Sequence, residues 1–575
     1  MIDISGIPVE NKILILEVAT KILFDKRDDI VEKKKLKEKI ESSYLRALDF
    51  YNSGDVEKSI EIYNTILSEI SHREFPYQYS IVLECLGNAH LIMAEVQDKE
   101  LNTKKSIKSL ESALIIGKSI RSQFEDARGK ANLGNAYFCL AKIREKKESI
   151  EKAIGYYEES LLLFAIDETP KNYIKVLINN ANAYIELSIV ENKIENLEYA
   201  ISSLKEVEKS TSVSLDSWHF AVYQNILGTA YLYLSKEKDE KANIYNAIDV
   251  FEEALKFFTV EKHPLDYLMV LNNLGSAYDS LASFEEPNLN YEKAFKNFNE
   301  ALELASSIGY KFDYAMTLNN LATLYFHFSK NQNSEVKVKC LAKSLKLLED
   351  SLKIRTISEF PIDYATTQYR IGAVYFDLSK IMDTESNLES AVNYFNESLK
   401  ILTFDDYPLK YSIVQKQLGH TFRFLGDEKF ERSNLSESEY LYKNAITSYY
   451  ECLRIFEDET NCVDYAEIQN ELGVSYLCIS RIKDGMQNIN QALKHFEKTL
   501  KVFNVDDNLL SYVGSLNNIG NSYLEKANFE EKEKNLKLAI EYYEKSLELL
   551  DSEKNYDLYC NISRNIEMTF SILLN

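Results

Sequence analysis

Turn-forming residues are scarce in this sequence. Only 17 glycines and 7 prolines are spread over 575 residues, few breakers for this length, which suits a helical chain. No two cysteines form a Cys-x-x-Cys pair; the seven stand at Cys85, Cys139, Cys340, Cys452, Cys462, Cys478 and Cys560. An odd, irregular set in a chain of this size argues against a disulfide framework and suits reduced thiols in the cytoplasm. Long apolar runs are also missing. The longest near the start, Ile13 to Phe24, is interrupted by Glu17 and Lys21, and is too short and too charged to cross a bilayer. No basic segment followed by a cleavage site opens the chain, so no secretion signal is expected. Positive charge is in deficit, with 67 Lys and Arg against 90 Asp and Glu, for a net charge of −23. Such a surface repels phosphate backbones and anionic lipid. Nucleic acid and membranes are therefore not expected partners, whereas a protein or peptide, basic or polar, is. The run KKKLKEK at 33–39 reads as a solvated helix face.

What is present is repetition. The phrase ANLGNAYFCL at 131–140 returns as LNNLGSAYDSL at 271–281 and LNNIGNSYLE at 516–525. Its glycine falls at Gly87, Gly134, Gly228, Gly275, Gly372, Gly419, Gly473 and Gly520, with Ala181 and Ala322 in the same slot. Most successive slots are 47 residues apart, a period that belongs to stacked repeats and not to separate domains. A second phrase lies between: AIGYYEESL at 153–161, AIDVFEEAL at 247–255, AIEYYEKSL at 539–547. Its first residue is Ser59, Ser106, Ala153, Ala200, Ala247, Ala294, Ser344, Ala391, Ala445, Ala492 or Ala539. Ala247, Ile248, Phe251, Ala254 and Leu255 fall on one helical stripe. The two phrases are read as helices A and B of one hairpin, with small residues where the helices approach closely.

Helix ends are legible as well. Pro76, Pro170, Pro264, Pro361 and Pro408 stand eleven residues before the A slot, where a missing N–H costs nothing in a first turn. Asp266, Asp313, Asp363 and Asp464 follow two residues later, at the positive end of the helix dipole. Four residues before the B slot stand Asn102, Asn196, Asn243, Asn290, Asn387, Asn488 and Asn535, with Asp55 and Ser149 in the same place; these read as N-caps of helix B. The B-to-A spacing is always 28, whereas A to B is 22 after Ala322 and 26 after Gly419 instead of 19. Insertions therefore enter the A–B connection, and the longest, near Asp427 to Tyr440, is expected to project as a loop.

The motif Leu-Gly-x-x-Tyr, as in Leu133-Gly134-Asn135-Ala136-Tyr137 and Leu274-Gly275-Ser276-Ala277-Tyr278, followed by a helix opening on a small residue, resembles the tetratricopeptide repeat. The resemblance covers roughly residues 40 to 575, with a period of 47 in place of the family's 34. It is similar to the long-helix variant of bacterial and archaeal arrays, including those attached to caspase-like CHAT peptidases and signalling ATPases. The resemblance implies an all-α, right-handed superhelical solenoid of about 11 helix-turn-helix repeats with capping helices. Residues 1–36 would form an N-terminal helix that caps the array or docks a partner, residues 37–555 the array, and residues 556–575 a C-terminal cap with Glu567 in the glycine slot. It further implies a non-enzymatic adaptor that holds a peptide or protein in a concave groove, in a prokaryotic signalling or defence complex. The alternative is a structural protein that self-assembles through its ends, using the apolar residues Phe570 to Leu574.

Recurring tyrosines, such as Tyr137 and Tyr278 three residues after the slot and Tyr267 and Tyr411 eight before it, are expected to pack the repeats together. Asparagine is a mediocre helix former, yet it recurs inside helix A. The positions are Asn132, Asn179, Asn273, Asn320 and Asn518 two before the slot, Asn225, Asn272, Asn319, Asn470 and Asn517 three before it, and Asn135, Asn182 and Asn521 one after it. An amide offers donor and acceptor together and can clamp an extended backbone. In tetratricopeptide proteins similar positions line the groove, so these residues form the candidate peptide site; the competing reading is that they tie neighbouring helices. No catalytic or metal constellation emerges. The histidines, at 72, 90, 219, 263, 327, 420 and 495, form no His-Glu-x-x-His or clustered set. No phosphate-binding glycine loop occurs, and no cofactor is expected.

Overall fold

The computed structural model of the chain describes residues 31–574, apart from 144–145, 165–169, 192, 210–216, 457–462 and 506–507. The N-terminal segment expected to cap or dock lies outside the described residues. Among these, every regular element is a helix: α1 Val31–Ser53, α2 Val56–Glu69, α3 Pro76–Val96, α4 Lys99–Gly117, α5 Gln123–Ala141, α6 Lys146–Leu163, α7 Pro170–Ser188, α8 Lys193–Lys209, α9 Ser217–Leu234, α10 Glu240–Leu255, α11 Pro264–Leu281, α12 Pro287–Ile308, α13 Lys311–Ser329, α14 Ser334–Leu352, α15 Pro361–Ser379, α16 Thr384–Leu399, α17 Pro408–Glu431, α18 Leu435–Leu453, α19 Val463–Ser480, α20 Gly485–Val502, α21 Leu509–Lys526, α22 Lys532–Glu548 and α23 Tyr556–Leu574. Odd numbers are A helices and even numbers B helices. The five prolines each open an A helix, as the spacing predicts.

The helices fall into two compact units, Met1–Ile308 and Gly309–Asn575. Within each, an A helix packs most closely on the B helix that follows it and less closely on the one before, the order of a stacked hairpin array. Successive A helices also touch one another, and no pair of successive B helices does so to the same extent. The A helices therefore lie on the inner side of the curve in each unit.

The glycine slot is a socket. A Cβ on Gly134, Gly228, Gly275, Gly372, Gly419, Gly473 or Gly520 would lie 2.5–2.8 Å from an aromatic ring of the paired B helix: Tyr157, Phe251, Phe298, Phe395, Tyr449, Phe496 or Tyr543. All seven rings are buried. A second tie recurs at the far end of the hairpin, where a B-helix serine donates to an A-helix carbonyl: Ser160 to Ala127 at 2.7 Å, Ser398 to Ala365 at 2.8 Å, Ser351 to Ala315 at 3.0 Å.

Two expectations need correction. The asparagines four before the B slot are not N-caps, because the B helices begin three residues earlier. The residue before the helix takes a left-handed conformation at Asp98, Asp239, Glu286, Asp383, Asp484 and Glu531. The asparagine, now inside the first turn, reaches back to the carbonyl just before that residue: Asn102 to Gln97 and Asn243 to Lys238, at 2.8 and 2.7 Å, with five more alike. It locks a turn that non-glycine residues otherwise resist. Ser149 likewise lies within α6, and only Asp55 of the set caps, accepting from Lys58 N. The second correction concerns the long insertion. Asp427–Glu431 and Leu435–Tyr440 are helical, so the extra residues lengthen α17 and α18 and leave a connection of three residues. Tyr442 fills the space above Gly426 and donates to Asp427 Oδ1 at 2.7 Å, and Ser438 donates to the Gly426 carbonyl at 2.8 Å. The insertion is a packed helical extension, capped at Asn434 in the ordinary way.

Candidate functional site

The asparagines sit on the A helices and pair from one repeat to the next. The residue two before the slot donates to the residue three before the slot of the preceding A helix: Asn273 Nδ2 to Asn225 Oδ1 at 2.9 Å, Asn518 to Asn470 at 3.1 Å, Asn565 to Asn517 at 3.1 Å. Asn132 makes the same link to Glu84 Oε1 at 3.0 Å. Asn135 Oδ1 accepts from Asn179 at 3.0 Å and from Tyr157 O–H at 2.8 Å; Tyr543 donates likewise to Asn521 at 2.7 Å. Asn182 lacks such a phenol because Leu204 occupies that place on its B helix. The amides thus form a ladder along the inner face of each unit.

Burial divides the set. Asn132, Asn272 and Asn319 are buried, and their amides are used inside the fold. Asn272 Nδ2 donates to the Leu268 carbonyl, and Asn319 donates to the Ala315 carbonyl and accepts from Thr367. These three do not face a ligand. Asn135, Asn179, Asn182, Asn225, Asn273, Asn320, Asn470, Asn517, Asn518 and Asn521 are half-buried and border the inner face. A pair that shares one N–H···O bond retains a second amide N–H and a free carbonyl lone pair, the complement of a peptide backbone.

In the second unit charged residues join the row. Arg370 lies two before its slot and donates to the Asn319 carbonyl at 3.0 Å and Thr323 Oγ1 at 2.7 Å, its positive charge facing no paired carboxylate among the described residues. Burial, with Arg355 nearby, lowers its pKa to about 10. Lys416 pairs with Glu467, and Arg423 with Asp427 and Glu471. Burial first, opposed by Glu471, lowers the His420 pKa. Sequence reading saw the asparagines and passed over Arg370, whose signal was a change of residue type within an asparagine column. The recurring tyrosines are structural, as expected: Tyr137, Tyr184 and Tyr278 each donate to a glutamate of the preceding B helix, Glu111, Glu158 and Glu252.

A second concavity of about 350 Å³ lies between α18, α19 and α20 and is lined by none of the asparagines. Beside it, buried His495 has Nδ1 2.6 Å from Gln469 Oε1 and Nε2 3.3 Å from Tyr450 O–H, and stacks on Tyr476 at 5.4 Å. Nδ1–H therefore donates and Nε2 accepts. Burial, and then Lys498 and Lys494, push its pKa down to about 4. The unfolded chain, with a histidine near 6.5, takes up the proton first, so stability is full above pH 6.5 and falls as pH drops toward 4. Between pH 7 and 4 this group should cost about 3 kcal/mol. His495→Gln should remove that part of the acid sensitivity, measured as the difference between the two proteins' urea midpoints at each pH. Parallel curves would refute the assignment.

Among the described residues no helix is long and apolar enough to cross a membrane, and no group of His, Cys, Asp and Glu could hold a metal ion. No family model matches the sequence, and no curated protein matches it. Among solved structures, the human IFIT1 dimer with m7Gppp-AAAA is 14% identical, with a TM-score of 0.43 over 88% of this chain and 96% of that one. The apo form of RapI is 16% identical, with a TM-score of 0.41 over 74% and 98%. The STAND protein with a tetratricopeptide repeat sensor from Pyrococcus horikoshii is 11% identical, with a TM-score of 0.38 over 88% and 74%. Values this low carry no functional argument. From the stacked A–B hairpins, the glycine sockets and the Leu-Gly-x-x-Tyr phrase, the chain is a tetratricopeptide-like helical repeat protein.

Proposed function

We propose that this protein is a non-enzymatic interaction scaffold that holds an extended segment of a partner protein along its A-helix face. The observation behind the reading is the amide ladder: half-buried asparagines, repeated at fixed positions, each pair retaining donor and acceptor capacity. Binding of this type fixes the backbone without reading the partner's side chains. A cytoplasmic adaptor in a signalling or defence complex is the setting that this implies, with a partner of polar or basic character opposite the chain's net charge of −23.

Asn179, Asn182, Asn225 and Asn273 lie in the first unit and are all half-buried. Replacing the four by alanine should abolish capture of partners from the native host. The melting temperature should move by only a few degrees, since half-exposed amide bonds contribute about 1 kcal/mol each at most. Undiminished capture by a folded variant would remove the groove reading. A second reading, self-association, draws on the apolar surface of α23, where Met568, Phe570, Ile572 and Leu574 are exposed. Light scattering decides it: growth of mass with concentration, lost in Phe570→Ser/Leu574→Ser, supports assembly, and a monomer at all concentrations rejects it.

A further inference from the structure

We infer that the concavity between the two B helices α18 and α20, floored by α19, is a binding site for a small planar anion, an aromatic ring bearing a phosphate or carboxylate. Its lining includes none of the ladder asparagines, and it does not depend on the scaffold reading.

One position along the B helices changes sign. Six residues after the B slot stands a carboxylate in seven successive repeats: Glu159, Glu206, Glu253, Glu300, Asp350, Glu397 and Glu451. In two of these the carboxylate accepts from the tyrosine eight before the A slot, Tyr267 to Glu300 at 2.6 Å and Tyr411 to Glu451 at 2.8 Å. At the next repeat the tyrosine remains, as Tyr465, but the acid is Lys498. Lys494 stands one turn before it on the same helix, and no carboxylate lies within 4.0 Å of Lys494 among the described residues. Lys494 and Lys498 thus place two ammonium groups on one rim, where the seven preceding repeats carry an acid at the second of these positions; Lys545 shows the same change in the repeat that follows.

The rim surrounds a real volume. About 350 Å³ is at the lower end for small-molecule sites, enough for one ring system with a charged substituent. The walls are apolar and flat, from Phe456, Tyr465 and Leu453. Polar groups complete the lining: Tyr450 O–H and the Gln469 and Gln491 amides. His495 holds two of them in place, its Nδ1–H on Gln469 Oε1 and its Nε2 against Tyr450 O–H. Flat apolar walls take a ring, the amides and the phenol take ring heteroatoms, and the lysines take the anion. The corresponding B-helix position is tyrosine in three other repeats, at Tyr156, Tyr394 and Tyr542, each stacked on its A-helix tyrosine. Histidine keeps the stack and adds a fixed donor and acceptor.

The test is calorimetry on the full chain with three probes, adenosine 5′-monophosphate, pyridoxal 5′-phosphate and indole-3-acetate. Adenosine and inorganic phosphate separate ring from charge. At least one probe is expected to bind at or below about 1 mM, with both controls weaker by tenfold or more. Lys498→Glu restores the residue type of seven other repeats and should fold; with Lys494→Glu it should weaken binding at least tenfold. Asn273→Ala, on the A-helix face, should leave binding unchanged, which keeps this result separate from the scaffold reading. If pyridoxal phosphate binds, its aldehyde condenses with a lysine amine, releasing water. Added borohydride delivers hydride to the imine carbon, and the resulting secondary amine should map to Lys494 or Lys498. Absence of binding by all three probes at about 1 mM, or binding undiminished in the double lysine variant, overturns the proposal.

Discussion

Glu84→Gln should destabilise the first unit by about 3–5 kcal/mol, the penalty for removing one partner of a buried ion cluster. Glu84 Oε1 lies 2.8 Å from Arg128 Nε, and Oε2 lies 2.9 Å from Arg121 Nη2. Asn132 Nδ2 donates to Oε1 as well, at 3.0 Å, and all three charged side chains are at most 5% exposed. Burial alone would raise the Glu84 pKa, but Arg128 and then Arg121 outweigh it and hold the carboxyl below its usual range. Two guanidinium groups thus depend on one carboxylate. Glutamine keeps the shape and one acceptor, turns an NH2 toward a donor, and leaves Arg121 without its carboxylate and Arg128 with only the more distant Glu125. A loss in urea midpoint with unchanged slope would show the effect on stability. Because each repeat leans only on its neighbours, amide exchange should quicken in α3, α4 and α5 and stay unchanged in the second unit. Converting Arg121 and Arg128 to methionine together with Glu84→Gln should recover most of the loss, since apolar replacement of a whole buried cluster is often neutral. The sign with pH follows from the depressed carboxyl: the cluster's contribution is complete above about pH 4.5 and disappears as pH falls through the lower folded value, a loss absent in the variant. An unchanged midpoint for Glu84→Gln would mean that this cluster is not formed.

The cluster was not legible in the sequence. Glu84 occupies a column that elsewhere carries asparagine, as at Asn225, Asn272 and Asn517. Its partners, Arg121 and Arg128, come from the next B-to-A connection and the following A helix. Periodicity identifies columns but not which members of adjacent columns meet. The asparagine series shows the same limit. Its positions were readable, but whether Asn272 is buried or Asn273 borders the face depends on one step of helical rotation, about 100°, against neighbours in the next repeat. Hairpin order, the 47-residue period and the proline starts were readable because each is local. The asparagines before the B slot were misassigned because capping and turn-locking both place an asparagine near a helix start, and only the left-handed residue before it separates them. The insertion after Gly419 was misread for a related cause. Spacing gives the number of added residues, but helical extension and loop differ in pattern, and Tyr442 facing Gly426 is a further socket of the kind already used as a ruler.

The sockets supply the other large effect. Phe251 is fully buried, and its ring lies where a Cβ on Gly228 would come within 2.5 Å. Phe251→Ala should therefore cost about 3–5 kcal/mol, because a rigid hairpin seam cannot collapse onto the cavity. Gly228→Ala in the native chain sets two effects against each other. Alanine gains about 1 kcal/mol over glycine in a helix interior, whereas forcing a methyl into a filled core costs about 1–3 kcal/mol. A contact of 2.5 Å against a ring with no free space puts the cost at the upper end, so the net effect should be destabilising by about 1–2 kcal/mol. In the Phe251→Ala background the ring is gone, the methyl enters a void, and the same change should stabilise by about 1 kcal/mol. The chain contains the precedent: for the two alanines in the glycine column, Ala181 and Ala322, the B-helix position that elsewhere carries the ring holds a leucine, Leu204 or Leu348. Gly87 faces Leu110 and still has no room, with Leu110 Cγ 2.6 Å from a built Cβ, so leucine alone is not enough and the helices must also shift. The decisive measurement is the double-mutant cycle, in which a change of sign between backgrounds gives a coupling of about 2–3 kcal/mol. Additive behaviour would mean that the ring does not fill the space above the glycine, and the contact that sets the spacing of the seven ring-bearing hairpins would have to be placed elsewhere.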